Sequence, residues 1–128
     1  MAYKFMLGNV DINSGGSARL HVGGGLGLAT IAIVVGDSPY DLNPVDHFQI
    51  NCDTSGGDIT LNLPELAKST GAIFAIKKVA AANDIIIDPD GAELIDNAST
   101  VTLGNDNDCL VIMSAGGRWR ILAKMSAG

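Results

Sequence analysis

The chain has 128 residues, with 14 acidic side chains against 8 basic ones and a formal charge of −6; this argues against a nucleic-acid backbone as partner, since phosphate binding requires clustered Lys and Arg and the basic residues here are scattered. The length suits one core of ordinary size and is too short for two. Gly fills 16 positions, charged residues make up 17% and aromatic residues 5%, against usual shares of about 7% for Gly and about 25% for charge, so the core must be built from thin aliphatic side chains in flat layers.

The start, MAYKFMLGN, has no charged segment followed by a long apolar run, so no secretory signal is expected. The longest apolar stretch, Leu26 to Val35, is about half the length needed to cross a bilayer. A protein made in a cytosol and released, if at all, by lysis is expected, with no membrane insertion.

Residues 1 to 37 form one compositional region. In NVDINSGGSARLHV, apolar Val10 and Ile12, then Ala18, Leu20 and Val22, alternate on either side of a Ser-Gly-Gly-Ser turn, a hairpin pattern. Gly23 to Gly25 make a joint. The run from Leu28 to Val35 is apolar on both faces, so it must be covered on both. In so short a chain the second cover is expected to be another subunit, through Leu26, Leu28, Ile31, Ile33 and Val35.

DSPYDLNPVD, with two prolines, reads as the loop into a second region, residues 38 to 128. Phe48, Ile50 and Cys52 alternate with Gln49 and Asn51, TSGG turns the chain, and Ile59, Leu61 and Leu63 alternate again, which predicts two strands of one sheet. Pro64 lacks an N–H and suits the first turn of a helix; PELAKSTG therefore predicts one or two helical turns ending at Gly71, with Leu66 and Ala67 plugging the core. Then follow AIFAIKKV, NDIIID, a short strand after the Asp88–Gly91 turn, STVTLG, DCLVIMS and GRWRILAKM, separated by turn clusters every ten or so residues. The reading is an all-β chain with about seven strands after residue 46, an antiparallel β-sandwich or barrel with one short helix, preceded by an N-terminal hairpin and strand used in assembly.

Chemistry-bearing residues are few. Cys52 and Cys109 have neither disulfide-framework nor metal-site spacing and read as small buried hydrophobes. DPDG at 88–91, IDN at 95–97 and NDND at 105–108 offer oxygens suited to calcium, yet they match no calcium-loop pattern and have the composition turns demand; no metal or other cofactor is expected. His21 and His47 lack a nucleophile or carboxylate at a motif spacing and read as solvent-side or interface residues, and the glycines of 23–30 lack a dinucleotide context, so no enzyme is expected. Trp119 between Arg118 and Arg120 is either a core residue on an alternating strand or, with Arg118, a stacking platform for a sugar.

From Tyr40 onward the order of motifs resembles the β-domain of tailed-bacteriophage fibre and head-decoration proteins. The residues that carry the resemblance are Asp53-Thr54-Ser55-Gly56-Gly57, Leu63-Pro64, Gly71, Ile76-Lys77-Lys78, Asp88-Pro89-Asp90-Gly91, Ile95-Asp96 and the stretch ending at Trp119, over about two thirds of the chain. Asn97 stands where the family pattern has Gly, and both residues accept a left-handed turn. The resemblance implies a virion structural protein, typically a homotrimer whose β-domain projects from the particle, with no catalytic residue to carry over. A long fibre would need a coiled coil or a repeated shaft, and neither is visible. The expectation is a capsid decoration, or cement, protein: residues 1–37 form a trimer base against the major capsid protein, and residues 38–128 an outward knob. The alternative is a short head or tail fibre that binds host-surface glycans through Trp119 and Arg118.

Overall fold

A computed structural model describes residues 22–126. The expected hairpin around Ser14 to Ser17, and His21, lie outside the described residues. Nine strands follow in chain order: β1 Thr30–Val34, β2 Tyr40–Asp41, β3 Gln49–Asp53, β4 Ile59–Asn62, β5 Ile73–Lys78, β6 Ile85–Asp88, β7 Val101–Leu103, β8 Cys109–Ala115 and β9 Arg118–Met125. They form two sheets, A in the order β1-β3-β5-β8-β9 and B in the order β2-β4-β6-β7. The fold is all-β and sandwich-like, with no closed barrel.

The sheets are mixed rather than antiparallel. β1, β3 and β5 run parallel in sheet A, and β2, β4 and β6 run parallel in sheet B. The chain therefore winds from A to B and back three times, as a short parallel coil. Partners on successive turns are far apart in sequence: Thr30 faces Gln49, which faces Ala75, while Tyr40 faces Leu61, which faces Ile87. After β6 the path reverses. β7 pairs antiparallel with β6, β8 with β5, and β9 with β8, which closes off the growing end of the coil.

This winding overturns the hairpin expected at residues 48–63. β3 and β4 both bury alternate side chains, but they belong to opposite sheets whose inner faces share one core. The TSGG segment is a crossing between layers. Asp53 accepts the Ser55 N–H at 3.0 Å, and Gly57 N–H bonds the Thr54 carbonyl. A Cβ placed on Gly56 would lie 2.9 Å from Val35 Cγ1, so the glycine lets the crossing pass beneath Val35.

The core is a stack of aliphatic rows. Ile31, Ile50, Ile76 and Leu110 lie side by side across sheet A, and Ile59, Ile85 and Leu103 do the same across sheet B. Phe74 and Trp119 are its large rings, 5.6 Å apart between centroids. The predicted helix is a single 3-10 turn, Leu66–Lys68, too short for an α-helix because Gly71, at φ +79°, turns the chain into β5. Leu66 does pack on the core, whereas Ala67 is exposed. The short strand expected near Glu93–Asp96 reduces to isolated bridges of Ile95 with Ala98 and Trp119. Of the first region, β1 is hydrogen-bonded into sheet A and Ile33 belongs to the common core.

Candidate interaction surface

β1 is the first strand of the coil and an edge of sheet A. Its sequence, TIAIV, buries Ile33 at 1% exposure and packs Ile31 against the core, while Thr30, Ala32 and Val34 face outward. Among the described residues, the run is thus covered by its own chain on one face only. Leu26 is 62% exposed, Leu28 52% and Val34 49%. Val35, in the 3-10 turn Val35–Asp37, is partly exposed and leans on the Gly56-Gly57 backbone.

Of the five residues expected to make the assembly contact, Leu26, Leu28 and Val35 therefore present apolar surface. Ile31 and Ile33 do not: both side chains point into the sandwich, because a strand packed on one sheet must send every second residue inward. The outward set is Ala32 and Val34. Where both registers of a strand are apolar, alternation cannot tell them apart, and the only signal was size, the larger isoleucines going to the core.

Sheet edges are normally kept from pairing by brevity, charge or bulges. Three of the four edges here follow that rule. β2 has two residues and carries exposed Asp41, and β7 has three. β9 carries Arg118, Arg120 and Lys124, and Leu122 is an extra residue in its pairing with β8. β1 has five residues, no charge and no bulge.

The sugar platform is corrected by the structure. Trp119 has 0% exposure, since the inward register of β9 places its ring on Phe74 and no face is open for stacking. Arg118 is spent on a turn: its Nη1 donates to the Asp96 carbonyl at 2.7 Å and to Asn97 Oδ1 at 3.1 Å.

The three acidic clusters lie in turns, held by backbone conformation and by hydrogen bonds within the turn or to a neighbouring strand. Asp96, at φ +50°, accepts the Ile121 N–H through Oδ1. Asp108 accepts the Asn105 N–H at 2.9 Å. Gly91, at φ +53°, closes the turn after β6. One grouping of acids had no signal in the sequence. The coil register aligns Asp41, Asn62 and Asp88 across the ends of β2, β4 and β6, and with Glu65 and Asp90 they line a groove of about 430 Å³. Asn62 donates to Asp41 Oδ1 at 2.9 Å, spacing two of the carboxylates.

His47 is buried rather than solvent-side. Its Nδ1 accepts the Asn43 N–H at 2.9 Å and its Nε2 lies 3.0 Å from Tyr40 Oη, which pins the loop between β2 and β3. Cys52 lies in the core, and burial pushes its thiol up to about 12; Cys109 is half-buried on the outer side of sheet A. Among the described residues no helix is long and apolar enough to cross a membrane. No protein-family model matches the chain, and no curated protein matches it significantly.

Proposed function

We propose that this chain is a bacteriophage head decoration protein, a homotrimer that binds the outside of the assembled shell and contacts it and its own copies through the segment from Leu26 to Val35. One observation carries the reading: among the described residues β1 is a sheet edge without charge or bulge of its own, flanked by exposed Leu26, Leu28 and Val34, an apolar surface of the kind that marks an interaction site. The motif series described above supports the phage assignment. Two of its members, Thr54–Gly57 between the sheets and Asp88–Gly91 at the end of β6, fall at joins of the coil, and Ile76–Lys78 and Trp119 lie in strands, positions at which an architecture rather than an active site would be shared.

The mechanism is linkage. A protein that binds only the expanded shell stabilises it by mass action, about 2.7 kcal/mol per site at a free concentration a hundred times Kd. No bond is made or broken in the substrate sense, and the reading is non-enzymatic. The glycan-binding alternative loses its stacking ring to the core, since Trp119 is buried.

The test is sedimentation of purified protein with empty expanded phage heads, followed by imaging. The expected result is co-sedimentation, with copies distributed over the whole shell and lost on Val34→Lys. Copies confined to the tail, or protein left in the supernatant with every head tested, would overturn the proposal.

A further inference from the structure

The two outer faces of the sandwich differ in chemistry. Sheet B presents Asp41, Thr60, Asn62, Asp88 and Thr102, with Ile86 the apolar exception. A solvated face of this kind is what a sandwich ordinarily shows. Sheet A departs from it. Alternation and register put Ile73, Ala75, Val111, Met113, Ala123 and Met125 on its outer side, over the adjacent strands β5, β8 and β9. Met125 is 52% exposed.

This field does not merge with the β1 surface. Between them lies β3, whose outward residues are Gln49, Asn51 and Asp53, with Gln49 donating to Asn51 Oδ1 at 2.7 Å. One molecule thus carries two separate apolar patches on the same sheet. Their rims have opposite charge. Lys77 on β5 and exposed Arg120 on β9 border the β5–β8–β9 field, whereas Asp37 and Asp53 border the β1 patch.

Two different patches of complementary character can join neighbouring copies head to tail in a closed ring, or join two copies about a two-fold axis with each patch of one meeting the other patch of its partner. We infer that the β1 patch of one copy, Leu26, Leu28, Ala32 and Val34, packs on the β5–β8–β9 field of the next copy, with Asp37 and Asp53 facing Lys77 and Arg120 across the joint. The occupant of each patch is a second copy of this chain. That the ring has three members rests on the proposed function; the pairing of the patches rests on their chemistry.

The experiment is sedimentation equilibrium of the full chain and its variants up to about 1 mM, a range that reports even weak association. Wild type should form a closed oligomer. Val34→Lys, which places a cation opposite Lys77 and Arg120, and Ala123→Glu, which places an anion opposite Asp37 and Asp53, should each raise the dissociation midpoint at least about tenfold while leaving the circular dichroism spectrum unchanged. Mixed in equal amounts, the two variants should associate again, because each retains the patch the other has lost. Leu28→Lys and Met125→Glu, at exposed positions outside the core, serve as the second pair should either first variant misfold. A wild type that stays monomeric, variants that keep full mass, or a mixture that fails to associate would each overturn the pairing. A ring that ignores phage heads would end the proposed function and leave this inference standing, and a monomer that coats heads would do the reverse.

Discussion

Lys78 stands at the end of the inward row that Ile33 and Cys52 begin, with 0% exposure. Its ammonium is satisfied by backbone: Nζ donates to the Ala80 carbonyl and, at 3.3 Å, to that of Ala82. Thr54 Oγ1 also donates to Ala82, and Asn83 donates to the Thr54 carbonyl, so the loop after β5 is folded over the cation as a lid on the core. Lys78→Met keeps the stem and removes the donor. It should destabilise by about 1 to 3 kcal/mol, read from urea denaturation, because the Ala80 carbonyl is left without its partner, while that of Ala82 keeps Thr54 Oγ1. Cys52 allows a pH prediction. The folded thiol ionises at about 12, against an ordinary value of 9.0, since burial disfavours the thiolate. Its contribution is fully present below about pH 9 and is lost as pH rises toward 12, because over that range the unfolded chain gives up the proton and the folded one holds it. The loss is on the order of 4 kcal/mol at most. In thiol titration at pH 8, half-buried Cys109 should react in the native protein and Cys52 only after denaturation, and equal rates would contradict the burial.

At the scale of the element, β1 shows how one strand serves two surfaces. Neighbouring residues on it should respond to charge in opposite ways. Ile33→Asp puts a carboxylate into the core with no partner and should unfold the chain, a loss of several kcal/mol visible in the melting curve. Val34→Lys, one residue on, should leave the melting curve of the monomer within about 0.5 kcal/mol, the usual effect of a surface change, and act on assembly instead. Equal destabilisation by the two would mean that β1 does not sit in the register described. The 3-10 turn that follows is secured by Asp37, whose carboxylate accepts the Val34 N–H at 3.0 Å. The acid that closes this turn thus also supplies charge beside the apolar patch.

Across the whole molecule, the parallel coil explains the unequal edges. A coil that grows in one direction has a first turn and a last turn, and the last is closed here by antiparallel β7, β8 and β9. Among the described residues the first turn keeps open edges at β1 and β2, of which only β2 is shortened and charged. The proposed assembly through β1 would complete the end of the coil that the described residues leave uncovered. If the rim charges pair with opposite sign as proposed, association should weaken moderately as salt rises from about 0.05 to about 0.5 M, while the apolar contact persists. Association that strengthened steadily over this range would point to contact between like-charged surfaces. The acidic groove at the ends of β2, β4 and β6 lies on sheet B, away from the proposed joint, and keeps that end of the molecule anionic.

Much of this could be read from residue order alone. Period-two alternation marked β3 to β9, the Asp, Asn and Gly clusters marked the turns, and the aliphatic composition marked a layered core, since each depends only on neighbours in the chain. Alternation reports that one face of a strand is buried, however, and carries no information about which strand lies beside it. Hence the segment from Phe48 to Leu63 read as a hairpin although its halves line opposite sheets, and TIAIV yielded the wrong register for its outward residues. The coil repeat was hidden because its partners, such as Thr30, Gln49 and Ala75, are unevenly spaced and share no motif. Tertiary structure alone decided that Trp119 is interior, that Asp41, Asn62 and Asp88 form a row, and that Val34 rather than Ile33 meets the surroundings, because burial is settled by contacts between distant segments.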